Sequence, residues 1–233
     1  MKRILILTGS ALAALTLLPL QAAATPISTA IDLNIVFAGN TPDGSAPWLT
    51  AQFTSSVGSN TGTLVLSSHM TGPDFAQGLS STTSTVGWAF YLNQAVSGIN
   101  CTTGTCADNG ALYSASGFNT GPVPGTFNLA FGWSPSNRFM ASDSATYQLT
   151  FSSLLTSNPF VENGSSWSSV AHIQGIVGNC SGWIVSGDGT GADGSGPCTH
   201  APPVPVPEPG KLGMFGLGLL FAGLLLGLRR RYD

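Results

Sequence analysis

The chain has 233 residues, of which 7% are charged and 30 are glycine, and this length suits one substantial domain with short appendages. Between Thr25 and Val206, eight acidic residues accompany one basic residue, Arg138, so this part carries a net charge of −7. A single cation does not neutralise a row of phosphates, which is the main source of affinity in nucleic-acid binding. The composition therefore excludes DNA and RNA as partners.

Residues 1–24 have the three parts of a secretory signal peptide. Lys2 and Arg3 supply the positive start, residues 4–20 form an apolar run, and small alanines precede the cleavage that we expect after Ala24. An uncleaved membrane anchor is the alternative, because the run is nearly long enough to span a bilayer. The alanines favour cleavage, so we predict an exported protein.

Eight segments of the next region, residues 25–199, alternate apolar and polar residues with period two, as strands with one buried face do. In the clearest segment, "TFNLAFGW", one face holds Phe127, Leu129, Phe131 and Trp133. The predicted strands are 30–39, 48–56, 62–70, 85–93, 126–133, 145–153, 169–177 and 182–186. Turn-forming residues separate them, and the pattern predicts an all-β, two-sheet antiparallel β-sandwich with jelly-roll-like crossings.

An exported chain with four cysteines is expected to form disulfides. Three pairings are open, and we predict the two local ones: Cys101 with Cys106 inside the loop-like "NCTTGTCADNG", and Cys180 with Cys198. A zinc site with His200 beside Cys198 is the alternative. The spacing of these residues matches no paired-ligand pattern for zinc.

The middle of the chain offers little catalytic chemistry. "GNCSG" has the form of a nucleophile elbow around Cys180, but an elbow needs a following helix and "WIVS" predicts a strand. His172 shares a strand face with Val170 and Gln174, which is typical of a hydrogen-bonded sheet residue. We therefore predict a protein without enzymatic activity, cofactor or metal.

Two segments of different composition follow the β domain. Residues 200–211 are proline-rich and predict an extended spacer. Residues 212–228 contain no charge and reach the short end of the length that crosses a bilayer, so they predict one transmembrane helix.

A short basic tail, residues 229–233, follows the apolar run. Arg229, Arg230 and Arg231 lie directly after it. Positive residues beside a span tend to stay in the cytoplasm. The β domain would then lie on the outer side, in agreement with the signal peptide.

The sequence Pro207-Glu208-Pro209, followed by the glycine-rich apolar run, the arginine cluster and the chain end, resembles the PEP-CTERM sorting signal. The resemblance implies a bacterial export route in which a membrane-embedded exosortase recognises the Pro-Glu-Pro region and processes the tail. The protein would be anchored in the inner membrane by its C-terminal helix before processing, and in the cell envelope or outside the cell afterwards. The family is associated with extracellular polysaccharide and biofilm.

A looser resemblance covers residues 48–184. The segments "VGWAFYLN", "RFMASDSATYQLTF" and "AHIQGI" are similar to the bodies of many PEP-CTERM proteins. This second resemblance implies no activity and no site.

Two functional expectations follow. The first is a structural or interaction protein of the envelope or matrix, with an exosortase, the membrane and extracellular polysaccharide as partners. The second is a carbohydrate-binding sandwich that stacks sugar rings on Trp48, Tyr91 and Trp167. Calcium held by Asp188 and Asp193 is an optional part of this second expectation.

Overall fold

The computed structural model describes residues 24–78, 86–118 and 120–187. These residues form strands, turns and bends, and contain no helix. The strands are Pro26–Leu33 (β1), Ile35–Gly39 (β2), Leu49–Ser56 (β3), Thr61–Ser68 (β4), Phe75–Ala76 (β5), Trp88–Phe90 (β6), Val96–Gly104 (β7), Ala111–Phe118 (β8), Phe127–Phe131 (β9), Phe139–Met140 (β10), Ser144–Phe151 (β11), Ser169–Ile176 (β12) and Cys180–Ser186 (β13).

Two antiparallel sheets make up the fold. The five-stranded sheet has the order β1-β3-β4-β11-β7. In the eight-stranded sheet the path β10-β5-β12-β6-β9-β8 is extended by β13, which pairs with β12, and by β2, which pairs with β13. The all-β, two-sheet prediction is confirmed.

The main core lies between the sheets and is built from the inward-facing residues of both. It includes Phe53 and Tyr147 from the five-stranded sheet, and Trp88, Phe90 and Phe131 from the larger sheet. The rings interlock: Phe131 and Tyr147 lie 4.6 Å apart between ring centroids, and Phe90 meets Phe131 edge-on at 6.0 Å. Burial of these alternating faces against each other makes the fold sandwich-like.

Part of the outer face of the eight-stranded sheet is buried as well. There Phe127, Ala130, Val170 and Trp167 belong to a second apolar cluster. The predicted face of "TFNLAFGW" is therefore wrong at Phe127, which packs in the second cluster while Leu129 and Phe131 pack in the first. A register shift between β8 and β9 accompanies this change of side.

All eight predicted strand segments contain strands, but the prediction missed β5, β7, β8 and β10. The segment predicted as one strand over residues 30–39 belongs to two strands in different sheets, with a break at Asn34. Cys101, predicted in a loop, lies in β7, and only Cys106 lies in the turn that follows.

The described part of the chain contains no helix long and apolar enough to cross a membrane. The predicted signal peptide, except for Ala24, and the predicted span 212–228 lie outside the described residues.

Candidate functional site

The outer face of the five-stranded sheet is a polar surface that we call the polar face. One cross-strand row defines it: Ser28, Thr54, Thr63, Gln148 and Asn100, one from each strand. All five side chains are exposed. Neighbouring strands lie about 4.8 Å apart and alternate residues along a strand about 7 Å apart, so the row belongs to a regular grid of hydrogen-bonding groups.

The neighbouring rows of the polar face also carry hydrogen-bonding side chains. Gln52 donates a hydrogen bond of 2.9 Å to the Ser28 hydroxyl, and Thr50 Oγ1 lies 3.1 Å from His69 Nε2. A shallow depression of about 320 Å³ is lined by Thr and Ser side chains and by Gln148. Asp32 is the one acidic residue that the strands place on this face. The polar face is therefore nearly neutral, with hydroxyl and amide groups that both donate and accept.

A groove of about 720 Å³ lies on the outer side of the eight-stranded sheet, beside β5 and the β12–β13 turn. The Phe75 ring forms part of its lining, and the Arg138 guanidinium lies over that ring at 4.1 Å from the centroid. Arg138 is the only Lys or Arg in the part of the chain that the structure describes. Its charge is thus held in the groove by a cation–π contact.

The groove floor carries two polar side chains of β12. His172 stacks on Trp183, its partner across β13, and Gln174 Nε2 lies 3.5 Å from His172 Nδ1. Burial lowers the pKa of His172 below its usual value. The imidazole is therefore neutral at physiological pH, and it can both donate and accept a hydrogen bond.

Gly175 permits the approach of Phe75 to β12. Its φ is +77°, and a Cβ atom here would lie 2.7 Å from the Phe75 ring. Any other residue would be strained in this conformation and would push the ring away. The glycine therefore helps to shape the wall of the groove.

The aromatic platform predicted for sugar stacking does not exist in this fold. Trp48 is 6% exposed and Trp167 is 3% exposed, and Tyr91 is half-buried. Trp48 belongs to the core between the sheets, whereas Trp167 packs edge-on against Phe37 in the second cluster. Stacking needs at least two accessible rings, so this prediction is wrong.

The Cys101–Cys106 disulfide predicted from the sequence is confirmed, with Cα atoms 5.9 Å apart. Hydrogen bonds hold the closed ring against its neighbours: Trp133 Nε1 donates to Thr105 O at 2.9 Å and Asn137 Nδ2 donates to Cys106 O at 2.8 Å. The bridge thus fixes the end of β7 beside the segment that leads to β10.

The second predicted bridge is not described, because Cys198 lies outside the described residues. Cys180 is 3% exposed and begins β13. A strand follows it where a nucleophile elbow requires a helix. The "GNCSG" motif therefore does not have the elbow geometry.

Other predicted positions also lie outside the described residues. They are the optional calcium ligands Asp188 and Asp193, the zinc alternative at His200, and the sorting residues Pro207, Glu208, Pro209, Arg229, Arg230 and Arg231.

The groove and the polar face were not identified from the sequence as sites. The sequence pattern places Gln174 and His172 on a strand, but Arg138 and Phe75 are distant in sequence and meet only through the pairing of β5 with β10 and β12. Comparison of the chain with known protein families, with curated proteins and with solved structures finds no match.

Proposed function

We propose that this protein is an exported, non-enzymatic component of the bacterial envelope or extracellular matrix, sorted by its C-terminal PEP-CTERM-like signal. The Cys101–Cys106 disulfide supports export, since such bridges persist in oxidising compartments. Non-consecutive neighbours in the order β4-β11-β7 support jelly-roll-like crossings.

The polar face carries the proposed function, because it is suited to contact with a neutral polysaccharide. Its grid of hydroxyl and amide groups can exchange hydrogen bonds with sugar hydroxyls, and it is free of Lys and Arg. With one acid on the face, ionic repulsion of a neutral chain is absent. Extended contact through many individually weak bonds fits a matrix protein better than a catalytic role.

Two experiments test this function separately. Cells producing the intact chain, or a chain ending at Val206, are fractionated to follow export and processing. We expect the intact chain in the envelope or medium at a mass reduced by loss of the tail. The truncated chain should bypass the membrane intermediate.

Binding is measured by co-sedimentation of the full chain with an insoluble neutral glucan. Gln148→Ala removes an amide from the polar face, and Asn93→Ala removes an exposed amide from a loop elsewhere. We expect weaker sedimentation for the first variant and unchanged sedimentation for the second. Equal sedimentation of both variants and the parent chain would contradict the role of the polar face.

The groove favours a second candidate function, a defined saccharide-binding site. It combines an aromatic ring, a guanidinium and the Gln174 amide within about 720 Å³, a size and chemistry typical of small-ligand sites. A glycan array probed with the full chain tests this function. Arg138→Ala should abolish a groove-specific signal and leave glucan sedimentation intact, whereas an array signal that survives the substitution excludes the groove.

A further inference from the structure

Two loops meet at the edge of the sandwich where the chain crosses from β4 to β5. The Asp43 N–H donates to Asp74 Oδ2 at 2.5 Å, and the Thr71 N–H donates to Asp43 O at 3.1 Å. The loop before β3 is thus held to the crossover by hydrogen bonds in both directions.

Asp74 is completely buried, yet only one of its carboxylate oxygens is bonded. Oδ1 has no hydrogen-bond partner among the residues that the structure describes. The Ser68 hydroxyl, at the start of the same crossover, is also buried without a described partner. A buried carboxylate is costly unless hydrogen bonds, an opposite charge or a metal compensates it.

No basic side chain of the described ranges compensates Asp74. Arg138 lies over Phe75, and His69 is exposed beside Thr50. The charge that acts on Asp74 is instead that of a second carboxylate, Asp43. Burial raises the pKa of the Asp74 carboxyl, the hydrogen bond from Asp43 lowers it, and the Asp43 charge raises it again, with a net upward shift.

The backbone leaves room for the Asp43 carboxylate. A Cβ atom on Gly72 would lie 2.9 Å from Asp43 Oδ2, and the φ of Gly72 is +70°. A side chain at this position would crowd the carboxylate and strain the turn. Glycine therefore keeps open the space beside the Asp43 carboxylate.

We propose that Asp43 and Asp74 bind a calcium ion that holds the loop before β3 to the β4–β5 crossover. Both side chains offer only oxygen, the donor that calcium prefers. The described residues contain no cluster of three or more His, Cys, Asp and Glu side chains. Main-chain carbonyls and water therefore complete the coordination shell.

The site is independent of the polysaccharide contact. It lies on the connection between the two sheets and includes no residue of the polar face or the groove. Calcium would act here as a clamp that stabilises the sandwich outside the cell. Extracellular modules bind calcium with dissociation constants of about 10⁻⁴–10⁻³ M, which is the range we expect.

The test is calorimetric titration of CaCl₂ into the full chain, purified in detergent and freed of metal with a chelator. We expect one bound ion per chain, and at about 100-fold excess over the dissociation constant the unfolding midpoint should rise by about 5–10 °C. Asp74→Asn and Asp43→Asn should each weaken calcium binding at least tenfold. Asp43 is only half-buried, so Asp43→Asn keeps the test valid if Asp74→Asn fails to fold.

Asp32→Asn is the matched control, since it removes an exposed acid from β1 and should bind calcium as the parent does. MgCl₂ at equal ionic strength controls for screening. The proposal is overturned if the parent chain takes up no calcium, if Asp43→Asn binds it with unchanged affinity, or if magnesium produces the same rise in midpoint in every variant.

Discussion

The His172 imidazole lies flat against the Trp183 indole, with 4.5 Å between the ring centroids and 16° between the ring planes. The two residues face each other across β12 and β13. Because the stacked position is buried, it lowers the pKa of His172 below the 6.5 of a free imidazole. The pair therefore couples the stability of this hairpin to pH.

The folded state should lose stability as the pH falls below 6.5, because the unfolded chain then binds a proton at position 172 that the folded chain resists. The loss should continue until the pH has passed the lowered pKa. His172→Gln removes this titration and should make the free energy of unfolding depend less on pH. Urea unfolding of both proteins from about pH 8 to about pH 5 measures it, and an equal loss in both would show that His172 makes no contribution.

Removal of the Cys101–Cys106 bridge should lower the free energy of unfolding by about 2 kcal/mol, as expected for a short closed ring. The double variant Cys101→Ser, Cys106→Ser is compared with the parent chain by urea unfolding without reductant. Intact-mass measurement verifies that the parent carries the bridge. Identical unfolding midpoints would mean that the hydrogen bonds around Thr105 and Cys106 hold this turn without the bridge.

Much of the fold was predictable because buried faces alternate along the strands. In β11, for example, Tyr147, Leu149 and Phe151 all point into the core as the period predicts. Strand β7 was missed because Gly98 and Gly104 interrupt its pattern, and its cysteine suggested a loop. Its position was fixed by pairing with β11, which is distant in sequence.

The candidate sites were far less predictable, because they depend on what covers each sheet. Asn163 shows the reason: its Oδ1 accepts hydrogen bonds from Ser165 N and Trp167 N, while its Nδ2 lies 3.5 Å from Pro124 O and Thr126 O. Two loops are thereby held over the outer face of the larger sheet. The alternation of apolar and polar residues within a strand does not reveal whether loops cover the sheet. The sequence therefore wrongly placed Trp167 at the surface.

Trp167→Ala should destabilise the protein by about 3–5 kcal/mol, because it leaves a large cavity in the second cluster. It should not alter polysaccharide binding per folded molecule. Trp167→Phe retains much of the buried surface and serves as the milder control. Loss of binding by a fully folded Trp167 variant would restore this residue as a ligand contact.

Without calcium, the raised pKa of Asp74 should make the protein less stable as the pH rises. Above pH 3.8 the unfolded chain releases the Asp74 proton, while the folded chain retains it. The free energy of unfolding therefore falls as the pH rises, until the pH has passed the pKa of Asp74 in the folded chain. Unfolding in chelator from about pH 4 to about pH 7 should show this loss in the parent and not in Asp74→Asn. Excess calcium should offset the loss. Identical pH profiles of parent and variant in chelator would exclude a raised pKa at Asp74.

Processing of the tail should depend on Pro207 and Glu208. Replacement of both by alanine leaves the apolar length and the flanking arginines unchanged, so membrane insertion should persist. The prolines on either side of Glu208 favour an extended backbone. Loss of Pro207 together with the Glu208 carboxylate should therefore stop recognition by an exosortase. Glutamate at positions 229–231 should instead weaken retention of the C-terminus in the cytoplasm.

The most direct test of export and sorting is the mass and location of the Pro207→Ala, Glu208→Ala variant beside the parent chain. Immunoblots of inner-membrane, envelope and extracellular fractions, with intact-mass measurement of the released protein, give both quantities. We predict that the variant accumulates at full length in the inner membrane while the parent is shortened and released. Release of the variant at the parent's mature mass would show that the Pro-Glu-Pro segment is not a sorting signal.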